Sequence, residues 1–240
     1  MVTNSEDPYP WQEVAKPVTR GAFILIEGLD RAGKTTQVKR LCDKLYAEGH
    51  NVKTIRFPDR TSPIGRMIDG YLQSSIEMDD HAIHLLFSAN RWEKAKWIES
   101  TLLSGYTIIC DRYYYSGMVY SAAKNNPSLS LSWAQTCDVG LPKPDLVVFL
   151  DLETEEAEKR GGYGEEKYEK REMQLRVREL FKSLLDADGD EREMRVVDAG
   201  VTVDVVGERV WGEVEKVVKS VSEGGFEKDV GKVRAWPSQP

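Results

Sequence analysis

The sequence lacks any apolar run long enough to cross a membrane. Its longest apolar stretches, AFILI at 22–26 and LVVFL at 146–150, fall far short of the roughly 20 residues that a membrane helix needs. It also lacks an excess of basic charge, because 33 Lys and Arg residues face 40 Asp and Glu residues, a net charge of −7. Such a balance gives no electrostatic basis for binding nucleic acid or an anionic membrane, so neither partner is expected.

Cysteine is scarce, and no targeting segment is visible at the amino terminus. The three cysteines, Cys42, Cys110 and Cys137, are an odd number without metal-ligand spacing, which favours a reducing intracellular compartment over a disulfide framework. The first 20 residues lack the apolar core of a signal peptide and contain acids, which transit peptides avoid. The expected location is the cytoplasm, with the nucleus left open as a further location.

The two ends of the chain differ in composition from its middle. Three prolines within residues 1–20 predict an irregular N-terminal arm, and the glycine-rich, charged residues 224–240 predict a loose C-terminal tail. The intervening residues 21–223 are long enough to form one domain with a substantial core.

Short apolar runs alternate with longer helical patterns between these two ends. The predicted strands are residues 22–27, 52–57, 106–111, 145–151 and 194–199. The predicted helices are roughly residues 34–48, 79–104, 166–187 and 203–222. This alternation predicts a three-layer α/β fold, in which a five-stranded parallel sheet is covered by helices on both faces. Ligands of such sheets bind beyond the carboxyl ends of the strands, where the strand order switches.

The first predicted strand runs into the sequence Gly28-x-x-x-x-Gly33-Lys34-Thr35, the spacing of a phosphate-binding loop. The glycines let the backbone wrap an anion, while the loop amides and the helix N-terminus point positive charge at it. Lys34 would reach the outer phosphates and Thr35 would ligate Mg²⁺. A glycine-rich turn that binds nothing is the alternative, but its position between strand and helix favours a nucleotide. The predicted contacts are Gly28, Arg31, Ala32, Gly33, Lys34, Thr35 and Thr36.

Asp111 and Arg112 end the third predicted strand, which places them beside the phosphate loop. The acid would face the phosphates through Mg²⁺, and the arginine would bridge the donor and acceptor phosphates, because phosphoryl transfer spreads charge over the moving oxygens. A simple ion pair at the strand end is the alternative interpretation. We predict that Lys34, Arg31, Arg112 and Asp111 carry the catalytic roles.

Two further groups point to an acceptor site. Arg60 closes the second strand, where it would hold a phosphate by bidentate contact, and Phe57 and Pro58 would form an apolar wall or simply pack. Phe87 and Arg91 are four residues apart and share a helix face. Phe87 could stack on a base whose carbonyl edge Arg91 would contact; a core Phe with a snorkelling Arg is the alternative.

Five segments, EGLDRAGKTTQ, RFPDR, HLLFSANRWE, DRYYYSG and VGLPKPDLVVFLDL, resemble the thymidylate kinase family in order and spacing. The similarity extends from about residue 22 to 220. It implies a P-loop kinase fold, usually a homodimer, that transfers a phosphoryl group from ATP to dTMP with Mg²⁺. The product, dTDP, would serve dTTP synthesis for DNA replication. Catalysis would rest on positioning and charge rather than on a strong general base.

The resemblance also implies roles for individual residues of the acceptor site. It places Phe57 and Pro58 near the thymine methyl, and it assigns Phe87 and Arg91 to the base. Residues matching Asp30 contact the 3′-hydroxyl, an aromatic matching Tyr120 crowds the 2′ carbon, and Ser116 would reach the base through water.

A charged, glycine-containing segment at 158–172 is either a solvated helix end or a mobile lid over ATP. The resemblance supports a lid at about 160–170, with Arg160 stacking on adenine and Tyr168 approaching the acceptor. The family places its assisting arginine either in the phosphate loop or in the lid. This chain has Arg31 in the loop and only Lys167 as a basic residue between 161 and 168, which resembles the eukaryotic arrangement.

Adenine is expected against Gly200 and Val201, after the last strand. Members of the family that the chain resembles often carry polar residues there, so at Gly200 and Val201 the resemblance implies backbone contacts with adenine rather than side-chain contacts. Two rival functions remain from the sequence: a kinase for another nucleoside monophosphate or a deoxynucleoside, and a nucleotide-gated binding module. An uncharged acceptor such as a deoxynucleoside would give Arg60 no anion.

Overall fold

The computed structural model describes residues 19–160, 167–187 and 194–235, with only the backbone for 185–187. Most of the predicted arm and residues 161–166 of the predicted lid lie outside these ranges. The strands are β1 (Phe23–Gly28), β2 (Val52–Arg56), β3 (Thr107–Asp111), β4 (Leu146–Asp151) and β5 (Met194–Asp198). The helices are α1 (Lys34–Ala47), α2 (Pro63–Leu72), α3 (Asp80–Leu103), α4 (Tyr114–Ala122), α5 (Leu131–Thr136), α6 (Thr154–Lys159), α7 (Arg171–Ala187) and α8 (Val203–Ser222).

The five strands form one parallel sheet in the order β2-β3-β1-β4-β5. The predicted α/β fold with five parallel strands is confirmed. Every residue of β1 is buried, because helices cover both faces of the sheet. Phe23 and Leu25 pack in the layer that contains α3, α4 and α7. Ile24 and Ile26 pack in the opposite layer with α1 and α8.

The strand predictions match the structure to within one or two residues, whereas four helices were missed. The missed helices are α2, α4, α5 and α6, of ten, nine, six and six residues. Seven of the nine residues of α4 are buried, so it has no polar face to produce an amphipathic period. The helix predicted from residue 166 begins at Arg171 instead.

The C-terminal segment packs against the domain as far as the structure describes it. Residues 230–233, here named the C-terminal strap, run antiparallel to the turn at 140–143. Val233 is buried in the core cluster of the α3–α4–α7 layer. The expectation of a loose tail therefore does not hold for these residues. Among the described helices, none is both long and apolar enough to span a bilayer.

Candidate active site

A cavity of about 730 Å³ opens at the carboxyl ends of the strands. It extends from Phe57, which follows β2, across the phosphate loop to Val201, which follows β5. Of the predicted site residues, all line this cavity except Gly28, Asp111 and Gly200. The structure therefore brings the predicted donor and acceptor residues into one continuous space at the switch in strand order.

The phosphate loop joins β1 directly to α1. Gly28 has a φ of 148°, and a Cβ there would lie 2.7 Å from the carbonyl oxygen of Leu150, so glycine is required. Gly33 is the N-cap of α1 with a φ of 91° and gives the helix no side-chain cap. The first amides of α1 thus have no capping side chain, which suits an anion at this end of the helix.

Lys34 lies inside the loop that it is predicted to serve. Its Nζ donates to the carbonyl oxygens of Gly28 (3.1 Å) and Leu29 (2.6 Å). Burial and the nearby charge of Arg112 lower the pKa of Lys34 to about 8. A polyanion beside the ammonium would favour its charged form, so the site is better suited to a phosphorylated ligand than to a neutral one.

Thr35 and Asp111 place two oxygen ligands side by side. The Thr35 hydroxyl donates to Asp111 Oδ2 at 2.9 Å. Asp111 Oδ1 is buried and has no hydrogen-bond partner among the described residues. Buried carboxylate oxygens without a partner are rare in folded proteins. In the described ranges, no group of three or more His, Cys, Asp or Glu residues is arranged to hold a metal ion by itself. One carboxylate beside one hydroxyl fits Mg²⁺, which keeps waters and substrate phosphates as its other ligands.

Arg112 occupies the middle of the cavity in the left-handed region, with a φ of 65°. Its guanidinium donates to the Gly28 carbonyl at 3.3 Å and to the Ser116 hydroxyl at 3.2 Å, and it forms an ion pair with Asp30. Tyr120 donates to the other oxygen of Asp30 at 3.1 Å. The Arg112–Asp30 ion pair therefore links the end of β3 to the phosphate loop.

Residues after β2 and residues of α3 and α4 line the part of the cavity that is predicted to hold the base, here named the base pocket. Arg91 is 2% exposed and forms a bidentate ion pair with Asp138, through Nε (3.0 Å) and Nη2 (2.7 Å). A Cβ at Gly117 would lie 2.7 Å from Arg91 Nη2, so the guanidinium rests directly on the α4 backbone. The alternative of a snorkelling arginine is wrong. Phe87 is partly buried and lines the cavity beside Arg91.

Arg60, predicted to bind the acceptor phosphate, and Arg160, predicted to stack on adenine, both have partners within the protein. Arg60 pairs with Asp69 of α2 at 2.6 Å. Arg160 donates to the carbonyl oxygens of Arg31 (3.1 Å) and Ala199 (2.7 Å), so it bridges the phosphate loop and the loop after β5. In that second loop Val201 lines the cavity and Gly200 does not.

The described lid residues pack toward the acceptor side. The Tyr168 ring lies 5.7 Å from that of Tyr120 and 6.0 Å from that of Tyr71. Lys167 pairs with Glu77 at 2.7 Å, away from the phosphate loop. Arg31 instead approaches the base of the lid, with Nη2 3.5 Å from Glu169.

Comparison with known proteins identifies the family. A family model described as thymidylate kinase matches residues 26–210. The chain belongs to the thymidylate kinase family. The thymidylate kinase of Homo sapiens is 42% identical over 204 residues, covering 85% of this chain and 94% of that one. The thymidylate kinase of Schizosaccharomyces pombe is 50% identical over 165 residues, covering 69% and 77%.

A solved thymidylate kinase structure shares the whole fold. The enzyme from Candida albicans superimposes with a TM-score of 0.79 at 41% identity, covering 89% of this chain and 98% of that chain. The resemblance stated from the five motifs is thereby confirmed at the level of the family, and several matched relatives are eukaryotic.

Sequence reasoning missed three polar residues that hydrogen-bond to predicted site residues of this thymidylate kinase family member. Glu27 is fully buried in β1 and accepts hydrogen bonds from Tyr113 N (2.9 Å) and from Ser116 N and Oγ (3.1 and 2.6 Å). Burial raises the pKa of Glu27. A glutamate that ends an apolar strand beside the phosphate loop was the available signal, because buried acids need partners.

The other two missed residues are Asp138 and Gln174. The Gln174 amide donates to Asp30 Oδ2 (2.8 Å) and to the Tyr168 carbonyl (2.9 Å), which connects the lid base to the centre of the cavity. Gln174 is one polar residue on a long amphipathic helix, and Asp138 follows a short helix in a turn. Neither position carried a pattern from which its partner could be inferred.

Proposed function

We propose that the protein transfers the γ-phosphoryl group of ATP to dTMP, giving dTDP, with Mg²⁺ as the metal. The observation that supports this most directly is the single cavity that contains the uncapped end of α1, the Arg112–Asp30 pair and the Arg91 pocket. Phosphoryl transfer needs its donor, its acceptor and its neutralising charges in one enclosed space.

The donor half would use the phosphate loop and the loop after β5. The α1 amides and Lys34 would bind the phosphates, and Thr35 with Asp111 would hold Mg²⁺, which shields phosphate charge. Arg31 would supply the positive charge that the lid does not bring to the phosphates. The pairing of Lys167, a basic residue of the lid, with Glu77 supports this assignment. Adenine would lie between Arg160 and Val201, both of which line that end of the cavity.

The acceptor half would use the base pocket and Arg60. Arg91 offers donors to a carbonyl edge, and Phe87 offers a ring for stacking. Arg60 would exchange its partner Asp69 for the acceptor phosphate. The thymine methyl would contact Phe57 and Pro58.

The sugar and the lid complete the proposed acceptor site. Asp30 would accept from the 3′-hydroxyl, Tyr120 would crowd the 2′ carbon, and Tyr168 would approach from the lid. Ser116 is held by Glu27 and Arg112, which supports a fixed water between it and the base.

The transfer itself would rely on charge and position. Arg112 reaches Gly28 on the donor side and Asp30 on the acceptor side, so it can follow the phosphoryl group between the two. The acceptor phosphate is already anionic, so the nucleophile needs no strong base.

An assay of ADP release against a panel of nucleoside monophosphates and deoxynucleosides tests the proposal. We expect dTMP to give the highest kcat/KM, with turnover abolished by chelation of Mg²⁺. Preference for another monophosphate or for a deoxynucleoside would favour the first rival function. ATP binding without acceptor-dependent turnover would favour a nucleotide-gated module.

We propose further that the protein forms a homodimer. Leu85, Trp92 and Leu103 of α3 are between 43% and 50% exposed, and exposed large apolar side chains along one helix support a surface for a second copy. Light scattering during size-exclusion chromatography should give the mass of two chains, and a mass of one chain would exclude the dimer.

A further inference from the structure

The C-terminal strap is clamped onto the turn that follows α5. The Gly140 N–H donates to the Val233 carbonyl at 2.9 Å, and the Val233 N–H donates to the Leu141 carbonyl at 2.9 Å. Lys143 N donates to the Gly231 carbonyl at 2.8 Å. Leu141 and Val233 are both buried in the same core cluster. Both backbone groups of Val233 are thus used to fix one turn.

Asp138, the partner of Arg91, lies two residues before Gly140 and is hydrogen-bonded to this turn. Leu141, whose carbonyl accepts from the strap, donates its own N–H to the Asp138 carbonyl at 3.1 Å. The Asp138 carboxylate accepts from Arg91 at 3.0 and 2.7 Å and from the Ser88 hydroxyl at 2.8 Å. Arg91 lines the cavity and Asp138 does not. Asp138 can therefore affect a bound ligand indirectly, through the position of Arg91.

The turn is held from its other side by α3. Trp92 Nε1 donates to the Cys137 carbonyl at 2.9 Å, and its ring lies 3.3 Å from where a Cβ of Gly140 would be. The strap is itself tied to α3 by an ion pair between Lys232 and Glu99. Helix, turn and strap thus form one closed unit around the Arg91–Asp138 pair.

We propose that the C-terminal strap is a positioning element for base selectivity. By fixing the 138–141 turn, it makes Asp138 hold the Arg91 guanidinium at one angle to the acceptor base. A guanidinium carries only donors, so a fixed Arg91 favours the ring carbonyl of thymine and opposes the amino group of cytosine at the same ring position. This inference rests on the proposed role of Arg91 in the acceptor site.

The test compares a chain ending at Asp229 with a control ending at Ala235, which keeps every described contact of the strap. We measure kcat/KM for dTMP, the same constant or the competitive inhibition constant for dCMP, and KM for ATP. The dTMP preference over dCMP should fall about tenfold in the shorter chain, the equivalent of one hydrogen bond. KM for ATP should stay unchanged, and the control should match the full chain. A strap that only stabilised the fold would lower turnover with both acceptors equally and leave the preference intact.

The Arg91→Ala variant separates this inference from the proposed function. In that background, shortening the chain should cause no further loss of preference, because the two changes act through one group. If Arg91→Ala itself leaves the dTMP preference unchanged, the proposed role of Arg91 fails. If Arg91→Ala removes the preference and the shorter chain retains it, the strap proposal alone is overturned. Should the shorter chain not fold, Val233→Pro keeps the chain length, removes the N–H that donates to Leu141 and replaces the buried side chain. The same loss of dTMP preference is then required of this variant, and a folded Val233→Pro protein that keeps the preference overturns the proposal.

Discussion

Asp30 and Arg112 form an ion pair, 21% and 12% exposed, at the point where the donor and acceptor sides of the cavity meet. Burial alone would raise the pKa of Asp30, but the charges of Arg112 and Lys34 lower it. Each charge is the other's counterion, so a phosphate that reaches Arg112 must compete with Asp30. The arginine is thereby held in position before any phosphate contacts it.

Replacing Arg112 by Ala should lower kcat by roughly two to three orders of magnitude, because its donors would neutralise charge that develops during transfer. Arg112→Lys keeps the charge and loses the planar fork of the guanidinium, so its kcat should lie between those of Arg112→Ala and the unaltered protein. Steady-state kinetics measure the effect, and circular dichroism checks the fold. A folded Arg112→Ala variant with near-normal turnover would remove this residue from the mechanism.

Arg31→Gly should reduce kcat more than it reduces ATP affinity, because Arg31 is proposed to act on the moving phosphoryl group. An arginine introduced by Glu166→Arg, in the part of the lid outside the described residues, should restore part of the lost turnover. Arg31→Lys is the matched control for charge. Equal kcat values for Arg31→Gly and the unaltered protein would show that the loop arginine does not supply the missing lid charge.

Replacing Tyr120 by Ala should narrow the preference for deoxyribose over ribose acceptors. The Tyr120 hydroxyl bonds Asp30 and its ring packs on Tyr168, so a 2′-hydroxyl beside it would be crowded and unpaired. Tyr120→Phe keeps the ring and should keep the preference. The comparison needs kcat/KM for dTMP, dUMP and the ribonucleotide of thymine on all three proteins.

The preference for dTMP over dUMP should be modest, because the two acceptors differ only in the thymine methyl. One apolar contact at Phe57 and Pro58 is worth roughly 1–3 kcal/mol, so dUMP should be a poorer but measurable substrate. The dTMP-to-dUMP ratio should change little in Tyr120→Ala. A higher kcat/KM for UMP or CMP than for dTMP would leave the phosphate loop intact and contradict the acceptor site.

The free energy of unfolding should decrease as the pH falls below 6.5, and His84 is the cause. Its Nε2 donates to the Ala134 carbonyl at 2.9 Å, so Nδ1 must accept from the Ser121 hydroxyl. Burial lowers the pKa of His84 from 6.5 to about 4. Between these values the unfolded chain binds a proton that the folded chain does not, which costs up to about 3 kcal/mol of stability by pH 4.

His84→Gln should flatten that dependence, since glutamine does not titrate. Thermal unfolding between pH 4 and 7 gives the comparison, and His81→Gln, at a half-buried position of the same helix, is the control. An unchanged slope in His84→Gln would show that other groups cause the acid sensitivity.

The strands and the phosphate loop were predictable because their signals are local. Apolar runs of five or six residues, as in β1, β3 and β4, specify buried parallel strands without reference to any partner. The loop spacing between β1 and α1 is equally local. The short helix α4 gave no such signal, because its burial on nearly every side erases the amphipathic period.

The contacts that hold the site together were not predictable, because they join distant parts of the chain. Arg91 was found from its neighbour Phe87 four residues away, whereas Asp138 lies 47 residues further along. Gln174 is 144 residues from Asp30. Only the fold decides which polar residue completes a buried pair over such separations, and a single sequence contains no record of that choice.

Gly117 of α4 lines the cavity where the Arg91 guanidinium contacts the helix backbone. Glycine weakens a helix interior by roughly 0.5–1 kcal/mol relative to alanine, and it stands here in the middle of α4, where Arg91 lies 2.7 Å from the position of a Cβ. Even alanine would push the guanidinium off the helix and toward the cavity, shrinking the space for the base. A change that strengthens the helix in isolation should therefore make the pocket smaller, so local helical order and room for the ligand are opposed at this one position.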